Sequence, residues 1–146
     1  MTDLRNTAEP AWGGTTVVRA DGRLDSHPCF GACSRGVLRR IERRGTCVTV
    51  QQGSCIQPNA RLHWVYFILS GLVAVDDGCQ VCLVGAGGTV GLGAAFTRSA
   101  PSIAIEAATA ADVFVITNRD LCGAAQDNPP FLVSLAKQMA QHTQIL

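Results

Sequence analysis

From Thr46 to Thr117 the chain is a succession of short, apolar, β-rich runs: TCVTV (46–50), SCIQP (54–58), HWVYFILSG (63–71), LVAVDDG (72–78), CQVCLVG (79–85), TVGLGAAF (89–96), PSIAIEAAT (101–109) and ADVFVIT (111–117). Gly, Pro, Asn or Asp breaks the pattern every eight to ten residues. Short strands at that spacing predict an antiparallel β sandwich or barrel. Asp76-Asp77-Gly78 predicts a tight hairpin, because glycine accepts the positive φ such turns need.

Helical periodicity flanks this block. In SRGVLRRIERRG, Ser34 is the expected cap, Val37, Leu38 and Ile41 share one face, and Gly45 stops the helix. TNRDLCGAAQ (117–126) reads as a second short helix. DNPPFLVSLAKQMAQHTQIL then opens with Asn128 as cap and two prolines in the first turn. Leu132, Leu135, Ala136, Met139, Thr143 and Leu146 recur every three or four residues, a stripe of the width of a helix–helix seam. No stop signal follows, so the helix is expected to continue past Leu146. Residues 1–28 are rich in Thr, Gly, Asp, Arg and Pro and are expected to form a flexible N-terminal arm; residues 29–128 form the β domain, and 129–146 begin the long helix.

With 146 residues and 47% hydrophobic content, the chain fits one globular domain. It has no apolar run of membrane-spanning length and no signal-peptide core, so a soluble, cytoplasmic protein with no membrane partner is expected. A formal charge of +1 argues against the chain gripping nucleic acid on its own. The arginines of RRIERR (39–44) read as a solvated helix face opposite Leu38 and Ile41. Seven cysteines, an odd number, argue for free thiols or a metal site over a disulfide framework.

Gly85, Gly87, Gly88, Gly91 and Gly93 crowd into LVGAGGTVGLG (83–93). They fit neither nucleotide loop. The dinucleotide pattern would need glycine at Val90, and no amphipathic helix is expected to follow. A phosphate loop needs Gly-Lys-Ser/Thr, and the only lysine is Lys137. Turns and a bulge between strands are the plainer reading. Cys79 and Cys82 of CQVC point to opposite faces if they share a strand, which rules out a joint metal grip.

The order of elements, with HWVYFILSGLVAV (63–75), LVGAGGTVGL (83–92) and NPPFLVSLAKQMAQ (128–141), resembles the effector domain of the CRP/FNR family of bacterial transcription regulators. The likeness runs from about Ser34 to Leu146. It implies a mainly β fold, the antiparallel jelly roll of cyclic-nucleotide-binding domains, with short flanking helices and a C-terminal dimerisation helix carrying Leu132, Leu135, Met139 and Leu146. Members that bind cyclic AMP carry a Gly-Glu pair and a later Arg-Ser-Ala, whose arginine meets the phosphate as a fork. Here the Gly-Glu position holds Gly91 and Leu92. The arginine and serine positions fall on Pro101 and Ser102, and a literal Arg98-Ser99-Ala100 lies three residues early.

The resemblance therefore implies a member diverged from cyclic AMP binding. Any small-molecule effector would lie among Gly91, Leu92, Arg98, Ser99 and Ser102, with the long helix near Leu135 and Met139 as lid. The implied partners are a second copy as homodimer, and DNA only through a domain beyond Leu146. No cofactor is expected; two less favoured readings are an iron–sulfur cluster on Cys29 and Cys33, completed from Cys47, Cys55, Cys79, Cys82 or Cys122, and a haem on His63 or His142. Alternatives to a regulator are a stand-alone module acting through protein partners, or a cupin-like enzyme. The enzyme lacks its His-x-His, since the β region offers only His63 and Glu106, and no catalytic triad can be assembled.

Overall fold

The computed structural model describes residues 16–18, 24–97 and 101–141. Its strands form two antiparallel sheets. One holds β1 (Thr16–Val18), β2 (Thr46–Val50), β9 (Ala111–Thr117), β4 (Trp64–Ser70) and β7 (Thr89–Val90), in that spatial order. The other holds β3 (Cys55–Arg61), β8 (Ser102–Ala107), β5 (Leu72–Asp76) and β6 (Val81–Gly85). Helices α1 (Arg35–Arg44), α2 (Leu92–Thr97), α3 (Asn118–Asp127) and α4 (Pro129–Gln141), with 3-10 turns at Leu24–Ser26 and Pro28–Phe30, complete the fold. This is the expected antiparallel jelly roll, with strands distant in sequence, such as β2 and β9, paired side by side.

The five-stranded sheet is covered on both faces, which explains why β4 and β9 read as unbroken apolar runs and not as alternating ones. Their residues still alternate by face. Tyr66, Ile68, Val113 and Val115 point between the sheets and pack with Ile56, Val73, Val75, Ile103 and Ile105. Val65, Phe67, Phe114 and Ile116 point the other way, into a second cluster under the helices with Phe30, Ile41, Leu121, Phe131 and Leu135. Phe30 lies at the centre of that cluster, its ring 4.8 Å from Phe67 and stacked on Phe131 at 5.6 Å. Burying each such side chain contributes about 1.5–3 kcal/mol. The outer face of the four-stranded sheet has no such cover at its edge, where Val81 and Leu83 of β6 are exposed.

Local signals mostly hold. Ser34 Oγ accepts the Val37 N–H at 3.3 Å, and Gly45 closes α1 with its N–H on Ile41 O. Asp76 and Asp77 carboxylates accept backbone N–H groups of Gly78, Cys79 and Gln80, and Gly78 takes φ +92°.

Four expectations are corrected. TVGLGAAF is not one strand: it forms the two-residue β7 and then, after Gly91, the helix α2, so a helix does follow the glycine loop. The small and apolar residues Leu92, Ala94 and Ala95 suit a buried helix as well as a strand, and the apolar content alone did not separate them. The segment read as a flexible arm contains β1, paired with β2, and the buried residues Leu24 and His27. Its anchoring residues are single and aperiodic. Asn128 does stand at the head of α4, its carbonyl accepting the Leu132 N–H at 3.1 Å, but its side chain serves the preceding helix: Nδ2 donates to Ala124 O at 2.8 Å and closes α3. Cys79 lies in the turn ahead of β6, exposed, and does not share a strand with Cys82.

Candidate functional site

The glycine loop joins β6 to β7 and then to α2. The Gly87 N–H donates to Ile68 O (2.9 Å) and the Gly88 N–H to Gly85 O (3.0 Å), while Gly88 O accepts the Ile68 N–H (3.0 Å). These two amides are committed to protein partners and offer nothing to an anion. Gly91 is required twice over. Its φ is +89°, and a Cβ there would stand 2.7 Å from Leu62 Cδ2 and 2.9 Å from Trp64 O. The loop is thus built for turning and close packing.

The residues expected to hold an effector do not converge. Gly91 is buried against Leu62 and Trp64. Leu92, 2% exposed, packs into the cluster under the helices. Ser102 is exposed at the start of β8, paired with Arg61. Arg98 and Ser99 lie outside the described residues. Leu135 belongs to the same cluster as Leu92, and Met139 packs against that cluster. Between the sheets, Leu62, Val90 and Ala94 fill the interior on the roll side of the loop.

Two buried polar features were not foreseen. Inside the roll, Tyr66 donates its hydroxyl to Gln57 Oε1 at 2.6 Å, and Gln57 Nε2 donates to Ile103 O at 3.2 Å. Both side chains are at most 1% exposed. Burial, with a smaller contribution from Cys55, pushes the Tyr66 phenol above its ordinary value. Behind the glycine loop, His27 is 2% exposed. Its Nδ1 accepts the Cys29 N–H at 3.2 Å and its Nε2 lies 3.0 Å from Gly88 O. An N–H can only donate and a carbonyl can only accept, so this geometry requires the neutral ring protonated on Nε2. The ring also meets Phe67 edge-on at 5.4 Å. Two residues on, Ser134 Oγ of α4 donates to Cys29 O at 3.1 Å. The 3-10 turn Pro28–Phe30 therefore touches the glycine loop at one end and α4 at the other. A histidine before proline in a polar stretch carries no local mark of this role.

The cysteine and histidine readings fare as follows. All seven cysteines are free thiols. Cys29 is fully buried, and burial together with Cys33 pushes its thiol up to about 12; burial pushes Cys33 up to about 11. Thiols held protonated in an apolar cluster are poor metal ligands, and among the described residues no three His, Cys, Asp or Glu side chains could hold a metal together. The residues present do not fit an iron–sulfur cluster. His63 is exposed, edge-on to Trp64 at 6.2 Å. His142 lies outside the described residues.

α4 presents two faces. Phe131 and Leu135 are buried against the domain, with Met139 packed beside them. Leu132 and Val133 are 38% and 52% exposed, and Ala136 and Ala140 are exposed with them. The expected seam is corrected accordingly. Leu135 and Met139 serve the domain's own core, Leu132 stays on the outer face with Val133, Ala136 and Ala140, and Leu146 lies outside the described residues. Among the described residues no helix is long and apolar enough to cross a membrane.

Neither a protein-family model nor a curated protein sequence matches the chain. Solved structures do. The sensor domain of the transcriptional regulator DNR from Pseudomonas aeruginosa matches with a TM-score of 0.68 at 18% identity, over 82% of this chain and 85% of that one. A cyclic nucleotide-binding domain from Methylobacillus flagellatus gives a TM-score of 0.68 at 16% identity, over 88% and 81%. The Thermus thermophilus catabolite activator protein gives 0.62 at 18%, over 78% of this chain and 57% of that one, so this chain spans little more than half of that regulator. The chain has the fold of CRP/FNR-type sensor domains and of cyclic nucleotide-binding domains.

Proposed function

We propose that this chain is the sensory and dimerisation domain of a CRP/FNR-like transcription regulator and not an enzyme. It works in the cytoplasm, and its DNA contact comes chiefly from a domain outside this chain. The observation that carries the reading is the two-faced helix α4. One face is fixed in the domain by Phe131 and Leu135, and the other offers Leu132, Val133, Ala136 and Ala140 to a partner. Small residues one turn apart allow two such helices to approach closely about a two-fold axis. A signal that changes the glycine loop would reach α4 through His27 and the Pro28–Phe30 turn, shifting the packing of the helix pair.

The domain does not bind cyclic AMP in the usual way. The position of the ribose-binding carboxylate holds Leu92, whose side chain is buried in the helix-side cluster and offers no acceptor. Sedimentation velocity tests the dimer: the chain is expected to run as a dimer and the Val133→Glu variant as a monomer. A strict monomer at high concentration sinks the reading. Titration calorimetry with cyclic AMP is expected to give no binding heat.

A further inference from the structure

We infer that the outer face of α1 is a docking surface for the phosphate backbone of duplex DNA. Five of its ten residues are arginine: Arg35, Arg39, Arg40, Arg43 and Arg44. The orientation of the helix is set by its other side, where Ile41 is buried and Val37 and Leu38 pack on the same cluster. At 100° per residue the arginines then occupy the opposite half, Arg35, Arg39 and Arg43 in one row and Arg40 and Arg44 in the next. All five are exposed. Arg44 meets Asp120 at 3.4 Å; among the described residues the other four meet no carboxylate.

The fold accounts for part of this stripe, since Arg43 and Arg44 stand in the last turn, where the helix dipole favours cations, and Arg44 meets Asp120; Arg35, Arg39 and Arg40 have no such role. Three like-charge pairs at i,i+4 oppose the helix by about 0.2–0.5 kcal/mol each. Arg35 stands in the first turn, where the helix dipole disfavours a cation. The chain's formal charge of +1 conceals the asymmetry. Five arginines and one glutamate (Glu42) give α1 a charge of +4, so the rest of the chain sums to −3. The reading of a near-neutral chain unable to grip nucleic acid averaged over this difference.

The partner's chemistry follows from spacing. From Arg35 to Arg44 the helix rises about 13 Å at 1.5 Å per residue, and a DNA strand places about four phosphates along that length at 3.4 Å each. Four uncommitted guanidinium forks on long flexible stems lie within reach of a comparable number of phosphates on the two strands, and arginine pairs with phosphate through two parallel bonds. The exposed positions of α1 carry no aromatic ring to stack on bases, which points to backbone contact with a duplex and away from single strands. The contact is therefore independent of base sequence and stands whether or not the sensor reading holds.

Fluorescence anisotropy with a labelled duplex of arbitrary sequence, measured across a salt series, tests it. Four phosphate contacts predict a slope of log K against log salt of about −3.6, at ~0.9 per contact. The Arg39→Gln/Arg40→Gln/Arg43→Gln variant should keep its melting temperature, since these side chains bury nothing, and should lose about 2.7 of that slope at ~0.9 per charge. Its affinity at low salt should fall at least tenfold. Single variants Arg39→Gln and Arg43→Gln should each remove ~0.9 and serve if the triple variant is unstable. The proposal is overturned if the duplex is not bound, if the slope is the same in the variants, or if a poly-glutamate peptide binds while the duplex does not. The last result would assign the face to an acidic protein.

Discussion

Replacing His27 with phenylalanine isolates the link between the glycine loop and the N-terminal segment. The substitution keeps an aromatic ring beside Phe30 and Phe67, one atom larger than the imidazole, and removes the hydrogen bonds to Gly88 O and from the Cys29 N–H. The two ends do not lose equally. Gly88 O retains the Ile68 N–H as donor, so that end loses one ordinary bond, about 0.5–1.5 kcal/mol. The Cys29 N–H is left buried with no acceptor in its place, at about 1–3 kcal/mol. The sum is about 1.5–4.5 kcal/mol, a large share of the ~5–15 kcal/mol by which such domains are stable. Urea denaturation of the wild-type chain and of His27→Phe at neutral pH reads the difference directly. Hydrogen exchange at the Cys29 amide reads it locally, since protection falls about tenfold for each 1.4 kcal/mol. A variant within about 0.5 kcal/mol of the wild type, with Cys29 still protected, would show that these bonds do not hold the segment.

Gly91→Ala must place a side chain at φ +89° against Leu62 and Trp64 O, and is expected to cost at least about 2 kcal/mol in thermal denaturation. Leu135→Ala should cost about 2–5 kcal/mol because the side chain is fully buried, whereas Val133→Ala on the outer face, measured at dilution where the chain is monomeric, should stay within ~0.5 kcal/mol; equal effects would contradict the two-faced helix. Tyr66→Phe strands Gln57 Oε1 and Gln57→Leu strands the Tyr66 hydroxyl, about 1–3 kcal/mol each, so the double variant should be much less unstable than the sum. Cys29 adds a pH dependence. Its thiol is raised to about 12, so its contribution is complete below the unfolded thiol's value near ~8.5 and is lost as pH climbs toward 12, by at most ~1.4 kcal/mol per unit. Cys29→Ala should flatten that alkaline decline, and an unchanged slope would place its origin elsewhere.

The strands, the hairpin at Asp76–Gly78, the cap at Ser34 and the absence of an acid at Leu92 were all legible in the sequence, because each depends on residues a few positions apart. The spacing of turn residues determined an antiparallel sandwich or barrel before any contact was known, and the resemblance to the CRP/FNR effector domain narrowed it to a jelly roll. The arginine content of α1 was visible too, and Val37, Leu38 and Ile41 already determined which half would face out. What only the tertiary structure decided are choices between two faces or two partners. Apolar content alone made TVGLGAAF read as a strand, and the packing of Leu92 and Ala95 into the helix-side cluster selected a helix after Gly91. The stripe on α4 read as a helix–helix seam, and the ring of Phe30 claimed Phe131 of that helix for the domain. His27 and Gly88 are 61 residues apart. A bond between a lone side chain and a distant carbonyl leaves no periodicity in the sequence, because its two ends are brought together only by the packing of everything between them.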